Sequence, residues 1–447
     1  VTDPPRIQAV ETSRSEAALD APSRGLAPVR ETLPNGVVVL AKESRATPAV
    51  TVNASVQAGT VFDPPALGGL AHFVSRTIDR GAGARGADDI AEELDGRGVS
   101  LNVSVNRHVM SLACTCLAED MSPIVSLLAE IVREPRFPEH EVETRRGEIV
   151  TLIRQDQDNP ATMAAEGLMA LLYGDNHPYG RPARGTVGSV EAIDRDALRR
   201  FHASWFRPPA VSLAIVGDIA PADAIAQVSR AFGQWRPAAD PPGGDPPRLA
   251  APPPADHRRV RAIPMMNKAQ ADIAYGFIAI ARPDPDFFAF TLLNNILGQY
   301  SIGGRLGDSI RERQGMAYYV FGALDASVIP GPLMIRAGVN PANVERAIAS
   351  IDEEVARFAA EGATEDELAD SKRYLIGSMP RTLETNAGIA AYLQMMEFFH
   401  LGLDYDVRVP ALLQAVTRDQ VHAAARRVLD ISRAAVVVAG PYDGALR

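Results

Sequence analysis

Ala210-Val211-Ser212-Leu213-Ala214-Ile215-Val216-Gly217-Asp218 is an apolar strand that runs into a turn. Ala434-Ala435-Val436-Val437-Val438-Ala439-Gly440-Pro441 repeats that character near the other end of the chain. A helical pattern precedes each strand, over 194–204 in one case and 418–429 in the other. Between them lies Pro237 to Pro254, with Pro241-Pro242-Gly243-Gly244-Asp245-Pro246-Pro247 and Pro252-Pro253-Pro254. So much proline makes a stiff, extended linker. It divides the 447 residues into halves of similar length and element order, which indicates an internal duplication. Strands alternate with pairs of helices rather than in strict strand–helix–strand repeats. The expected fold class is α+β: two similar duplicated α/β halves, each a mainly antiparallel sheet packed with helices. The expected segments are an N-terminal arm over 1–28, a first domain over 29–236, the linker over 237–258 and a second domain over 259–447. A linker of this kind also suggests that the halves open and close about it.

Regular structure begins at Arg30. Asn35-Gly36 sits between β-rich runs and signals a hairpin. A strand follows over Ala49 to Val56, then a helix around His72 and a second around Ala87 to Gly96. Strands are expected near 99–105 and 109–117, and long helices near 120–133 and 138–157, the last closed by Asn159-Pro160. Residues 1 to 28 are polar, carry Pro4 and Pro5, show little periodicity and read as an extended arm.

Hydrophobic residues make up 46% of the chain and charged residues 22%, an ordinary globular composition. The net charge of −10 argues against broad nucleic-acid binding, which needs a basic face. The two cysteines, Cys114 and Cys116, stand two apart in an alternating strand pattern, a poor geometry for bridging each other. They are expected as buried thiols. No run of about 18 apolar residues occurs, so no membrane span is expected. The first residue is Val1 rather than Met, which fits a mature exported form, periplasmic or otherwise, but also an arbitrary boundary; a cytoplasmic location stays open.

Residues 69 to 81 read Gly69-Leu70-Ala71-His72-Phe73-Val74-Ser75-Arg76-Thr77-Ile78-Asp79-Arg80-Gly81. In the H-x-x-E-H pattern, two His four apart share a helix face and hold zinc, while the Glu activates a water. Here His72 remains, Ser75 stands at the base position and Arg76 at the second ligand position. One imidazole does not hold a catalytic zinc, and a permanently cationic guanidinium repels a dication.

The chain resembles the pitrilysin, insulinase and mitochondrial-processing-peptidase family over about residues 30 to 441. Beside the altered motif, the resemblance is carried by Leu33-Pro34-Asn35-Gly36 and by His177-Pro178-Tyr179-Gly180-Arg181-Pro182 with Gly185. Phe206-Arg207-Pro208 leading into Ile215-Val216-Gly217-Asp218 adds to it. So does Gly304-Arg305-Leu306 followed by Ile310-Arg311-Glu312 and Gly315-Met316-Ala317-Tyr318. In that family the third zinc ligand is a Glu about 76 residues beyond the second His. That spacing from Arg76 lands on Leu152, with Glu143 and Glu148 elsewhere on the same helix. The resemblance therefore implies a metal-less subunit with no cofactor of its own, degenerate at His72, Ser75, Arg76 and Leu152. Arg311 and Tyr318 match the family's substrate-side Arg and Tyr, which stabilise the peptide carbonyl as it becomes an oxyanion. Tyr319 and Arg313 are the neighbouring alternatives if the register slips. Gly303 and Gly304, in the glycine-rich segment 298–304, are expected near substrate.

Other readings bound this one. His140 and Glu143, with Glu139 and Glu141, form a His/carboxylate cluster that reads as a solvated helix start, where acids favour the dipole. The implied function is the non-zinc-binding half of a heterodimeric zinc peptidase. A homologous partner would supply zinc and H-x-x-E-H, and extended peptides would bind by adding a strand to a sheet edge. The alternative is a structural or peptide-binding subunit with no catalytic role.

Overall fold

The computed structural model describes residues 25–236, 247–298 and 303–444. The first half runs β1 (Val29–Thr32), β2 (Val38–Glu43), β3 (Ala49–Val56) and α1 (Leu70–Thr77). A two-stranded ladder of β4 (Gly81–Ala82) and β5 (Arg85–Gly86) follows, then α2 (Ala87–Asp95). Next come β6 (Asn102–Val105), β7 (Met110–Leu117), α3 (Met121–Arg133), α4 (Glu139–Gln157) and α5 (Pro160–Tyr173). The half closes with α6 (Val187–Ala192), α7 (Arg195–Trp205), β8 (Val211–Gly217) and α8 (Pro221–Phe232).

The second half repeats much of this order. It opens with β9 (Arg259–Pro264), β10 (Ala271–Ile278), α9 (Phe287–Gly298) and α10 (Gly304–Leu306). The last of these continues as a π-helical turn over Gly307–Arg313. Then follow β11 (Ala317–Leu324), β12 (Pro332–Val339), α11 (Val344–Glu361), α12 (Glu365–Thr382) and α13 (Asn386–Phe398). The half ends with α14 (Tyr405–Ala415), α15 (Arg418–Val428) and β13 (Ala435–Gly440).

The sheets make the duplication explicit. One has the order β1-β2-β8-β3-β7-β6, the other β11-β12-β10-β13-β9. Matching β2, β3, β6, β7 and β8 to β9, β10, β11, β12 and β13 superimposes the two orders, with β1 as an addition. Each sheet has one parallel pair, β2 with β8 and β9 with β13, and is otherwise antiparallel. The fold is α+β in two similar halves.

The halves interlock through equivalent helices. α5 of the first half packs on β10 and β13, and α13 of the second half packs on β3 and β8. Polar bonds fix both exchanges. Arg336 and Arg259 donate to the Ala161 and Leu171 carbonyls of α5. Gln394 of α13 donates to the Asn53 carbonyl at 2.6 Å and accepts from Ser212 Oγ at 2.6 Å. Leu40, Ala214 and Val216 of the first sheet are buried in the same core as most of the second half. A hinge about the linker, suggested by its proline content, would have to open this shared core.

Of the arm expected over 1–28, residues 1–24 lie outside the described residues. Leu26 is buried in the second-half core, its amide donating to Asp406 at 2.7 Å. Of the expected linker, 237–246 lies outside the described residues. From 247 to 258 the chain has no helix or strand, and Leu249 packs against the core built around α5. Cys114 and Cys116 are free and buried, and burial pushes their thiols up to about 12 and about 11.

Candidate functional site

α1 is short, and its anchorage is built from its surroundings. Leu70, Ala71, Phe73, Val74 and Thr77 bury its inner face in the first-half core. The Asp63 carboxylate accepts from the Gly69 and Ala71 amides, both at 2.8 Å, and so satisfies the helix start. Gly69 has φ +91°, and a Cβ there would meet the Arg184 carbonyl oxygen at 2.3 Å. Gly185, at φ +76°, is pressed in turn against the Gly68 carbonyl. Only glycine permits this approach of the two segments.

On this helix His72 is partly buried, and its Nε2 has no hydrogen-bond partner among the described residues. Burial pushes its imidazole down to about 4, and the Arg184 and Arg76 guanidiniums act the same way. It is therefore neutral at pH 7. Ser75 Oγ turns back to the His72 carbonyl at 2.7 Å, so no acid and no free base stands there. Arg76 lies 3.3 Å from Glu148 of α4. Burial would raise the Glu148 carboxyl, but hydrogen bonding to Arg145 and then to Arg76 holds it below the usual range. Leu152 sits one turn further along α4, on the same face as Glu148. Arg184 pairs with Asp156 on the next turn.

A zinc ion does not fit this constellation. One imidazole, a guanidinium and an isobutyl group stand at the three ligand positions, with a second guanidinium close by. Among the described residues no group of three or more His, Cys, Asp or Glu is arranged to hold a metal. In the His140 cluster, Glu143 is engaged by Arg146 and Glu141 by Arg145, while the His140 side chain is 79% exposed.

The HPYGRP segment is tied into the fold by its side chains. His177 Nδ1 accepts from the Tyr179 amide at 3.0 Å, and its Nε2 donates to the Ala250 carbonyl at 3.2 Å. Tyr179 is fully buried, its hydroxyl 2.6 Å from His108 Nε2.

Arg311 and Tyr318 belong to the other core. Arg311 lies on the π-helical turn, its side chain one-third exposed and its guanidinium 3.7 Å from Glu312. Arg313 is paired with Asp308 at 2.9 Å. β11 is the edge strand of the second sheet, and its register with β12 slips between Ala317 and Tyr319. Tyr318 is thus the extra residue of a β-bulge, which turns its side chain outward to 63% exposure. Tyr319 is spoken for: its hydroxyl donates to buried Asp272. Gly303 and Gly304 start α10. Gly304, at φ +82°, lies so close to Gly298 that a Cβ would meet its Cα at 2.5 Å. Residues 299–302 of the glycine-rich segment lie outside the described residues. α1 and α4, which carry the altered zinc positions, bury their apolar faces in the first-half core, and the turn that carries Arg311 buries Ile310 in the second.

Two family profiles match the chain in succession: "Insulinase (Peptidase family M16)" over residues 38–187 and "Peptidase M16 inactive domain" over 192–375. The chain belongs to the M16 peptidase family. An "uncharacterized zinc protease" of Mycobacterium leprae is 28% identical over 421 residues, 92% of each chain. A "probable mitochondrial-processing peptidase subunit beta" of Arabidopsis thaliana is 24% identical over 288 residues, 63% of this chain and 53% of that one. The crystal structure of a peptidase M16 inactive domain from Pseudomonas fluorescens is 28% identical. It superimposes with a TM-score of 0.85, covering 94% of this chain and 99% of that one. A protease of Helicobacter pylori, 17% identical, shares the fold with a TM-score of 0.84 over 92% of this chain and 99% of its own.

Three features escaped the motif reading of this M16 chain. Asp63, the clamp on α1, and the Arg184–Asp156 pair follow no motif spacing. The Tyr318 bulge depends on a register that no single strand encodes.

Proposed function

We propose that this chain is the non-zinc-binding subunit of a heterodimeric zinc metallopeptidase. The observation that carries the reading is the Arg76–Glu148 ion pair, which fills the second ligand position with a bound cation. A homologous partner with intact H-x-x-E-H supplies the zinc and the activated water. Arg311 and Tyr318 of this chain face the partner's site and stabilise the oxyanion of the peptide carbonyl. The outward turn of Tyr318 on an edge strand supports that role. Extended peptides bind by strand addition at such an edge.

The test is peptidase activity of this chain alone, of a zinc-containing homologue from the same genome alone, and of the mixture. Activity that rises strongly only in the mixture, and falls at least tenfold with Arg311→Ala or Tyr318→Phe, is expected. Partner activity indifferent to this chain would leave a structural or peptide-binding subunit.

A further inference from the structure

A cavity of about 810 Å³ lies between the halves and is not accounted for by the altered zinc positions. Its floor is the face of the first sheet that α13 covers. On the opposite face Val52, Ala54 and Val56 are buried in the first-half core. On the cavity face a row of serines crosses four strands in register: Ser212 of β8, Ser55 of β3, Ser111 of β7 and Ser104 of β6. A sheet face beneath a helix ordinarily carries larger apolar groups. Short hydroxyls here leave room and offer hydrogen bonds, and Asn53 lies beside them, accepting from Ser111 at 2.7 Å. The roof is apolar, from Met395, Phe398 and Phe399 at the end of α13.

Of the charged groups at the wall, Asp325 is exposed, while Glu397 and Arg107 are engaged. Glu397 holds Arg30 through two bonds of 2.8 Å, and Arg107 donates to the Tyr179 carbonyl at 3.1 Å. Burial keeps His108 neutral, with a pKa of about 4. The space therefore suits an uncharged occupant with a hydrogen-bonding side and a large apolar side. Its volume lies within the roughly 300–1,000 Å³ usual for ligand sites.

The position of the cavity points to the occupant. β6 is one of the two edge strands of the first sheet, and β11 one of the two of the second. The cavity is lined by Asn106 to Val109, directly after β6, and by Asp325 to Ser327, directly after β11. An extended peptide paired along either edge would run one end into it. The first of these turns is already fixed, because the amides of Gly59, Thr60 and Val61 donate to the carbonyls of His108, Asn106 and Arg107 at 2.9–3.1 Å.

We infer that this cavity is an anchor subsite for one large apolar side chain of an extended peptide, its peptide groups lying over Ser55 and Ser111. The inference rests on the reading that this chain handles extended peptides.

The probe is a fluorescein-labelled, uncharged ten-residue peptide with a single Phe, compared by fluorescence anisotropy with its Phe→Ser counterpart. Ser55→Leu fills the floor, and Gln57→Trp plugs the wall from an exposed position that carries no side-chain bond among the described residues. Thermal unfolding confirms that each variant is folded. The Phe peptide is expected to bind the wild type and to lose at least tenfold with either variant, and the Ser peptide to bind at least tenfold more weakly. Equal affinity for wild type and folded variants overturns the inference, as does failure of the wild type to bind. The shared-site reading is judged separately, by Arg311→Ala in the mixed activity assay. Partner activation undiminished by Arg311→Ala, with peptide binding intact, would sink that reading and leave the cavity; activation lost with Arg311→Ala while the Phe peptide fails to bind would sink the cavity alone.

Discussion

The Arg76 guanidinium and the Glu148 carboxylate lie 3.3 Å apart and tie α1 to α4, where an intact zinc site would tie them through a metal. Both side chains are about two-fifths exposed, so the pair contributes no more than about 1 kcal/mol. The backbone that would present zinc ligands is held by Asp63 and the Gly69–Arg184 approach, independently of this pair. The chain is therefore expected to take up no zinc at micromolar free metal. Ser75→Glu, Arg76→His and Leu152→Glu combined should restore one equivalent, measured by chelator competition; Arg76→His alone should not. Zinc uptake by the wild type, or none by a folded triple variant, would count against this account.

The two adjacent tyrosines differ in their surroundings. Tyr319 donates to Asp272, which is only 3% exposed and also accepts from Gln270 at 3.1 Å. Tyr319→Phe removes a bond to a buried carboxylate and should cost about 1–3 kcal/mol in urea unfolding. Tyr318 points outward from the bulge, so Tyr318→Phe should stay within about 0.5 kcal/mol. The opposite ranking would mean that the register of β11 is wrong.

The duplication was legible because the strands at 211–217 and 435–440 are continuous apolar runs, each after an amphipathic helix. Their pairing was not, because the parallel partners β2 and β9 are remote in sequence. α5 is hidden in the sequence: Asn159-Pro160 reads as a stop, yet the Asn159 side chain accepts from the Ala161 and Thr162 amides and starts the next helix. That helix is nearly uniformly apolar because it crosses the other half's sheet, so it shows no periodicity to find. The loss of the zinc ligands at Ser75, Arg76 and Leu152 was legible in sequence; the ion pairs around them were not.

Asp63 carries the start of α1 on two amide bonds. Asp63→Ala leaves both donors buried and unpaired and should cost at least about 2 kcal/mol. Burial pushes this carboxyl up to about 7 despite those bonds, so the uncharged isostere in Asp63→Asn, which keeps one acceptor, should cost clearly less. Equal losses in urea unfolding would show that the charge, not the acceptor geometry, holds the helix.

Three partly buried histidines set an acid limit on stability. Burial pushes His72, His108 and His202 each down to about 4, from an unfolded value of 6.5. As pH falls from about 6.5 toward 4, the unfolded chain takes up protons that these imidazoles refuse in the folded state, so their contribution to stability is lost across that window. Asp63, Asp79 and Glu166 work the other way there: burial raises each carboxyl, so the folded state keeps protons the unfolded chain has lost and part of the histidine contribution is offset. The net effect should be falling stability between pH 6.5 and 4.5, at up to about 1.4 kcal/mol per pH unit for each uncompensated proton. His202 is the cleanest to remove, since its Nε2 donates only to the Val132 carbonyl at 2.8 Å and a glutamine can reach the same acceptor. Urea midpoints for wild type and His202→Gln across this range should show the variant's slope reduced by about one proton; identical slopes would mean that His202 titrates alike in both states.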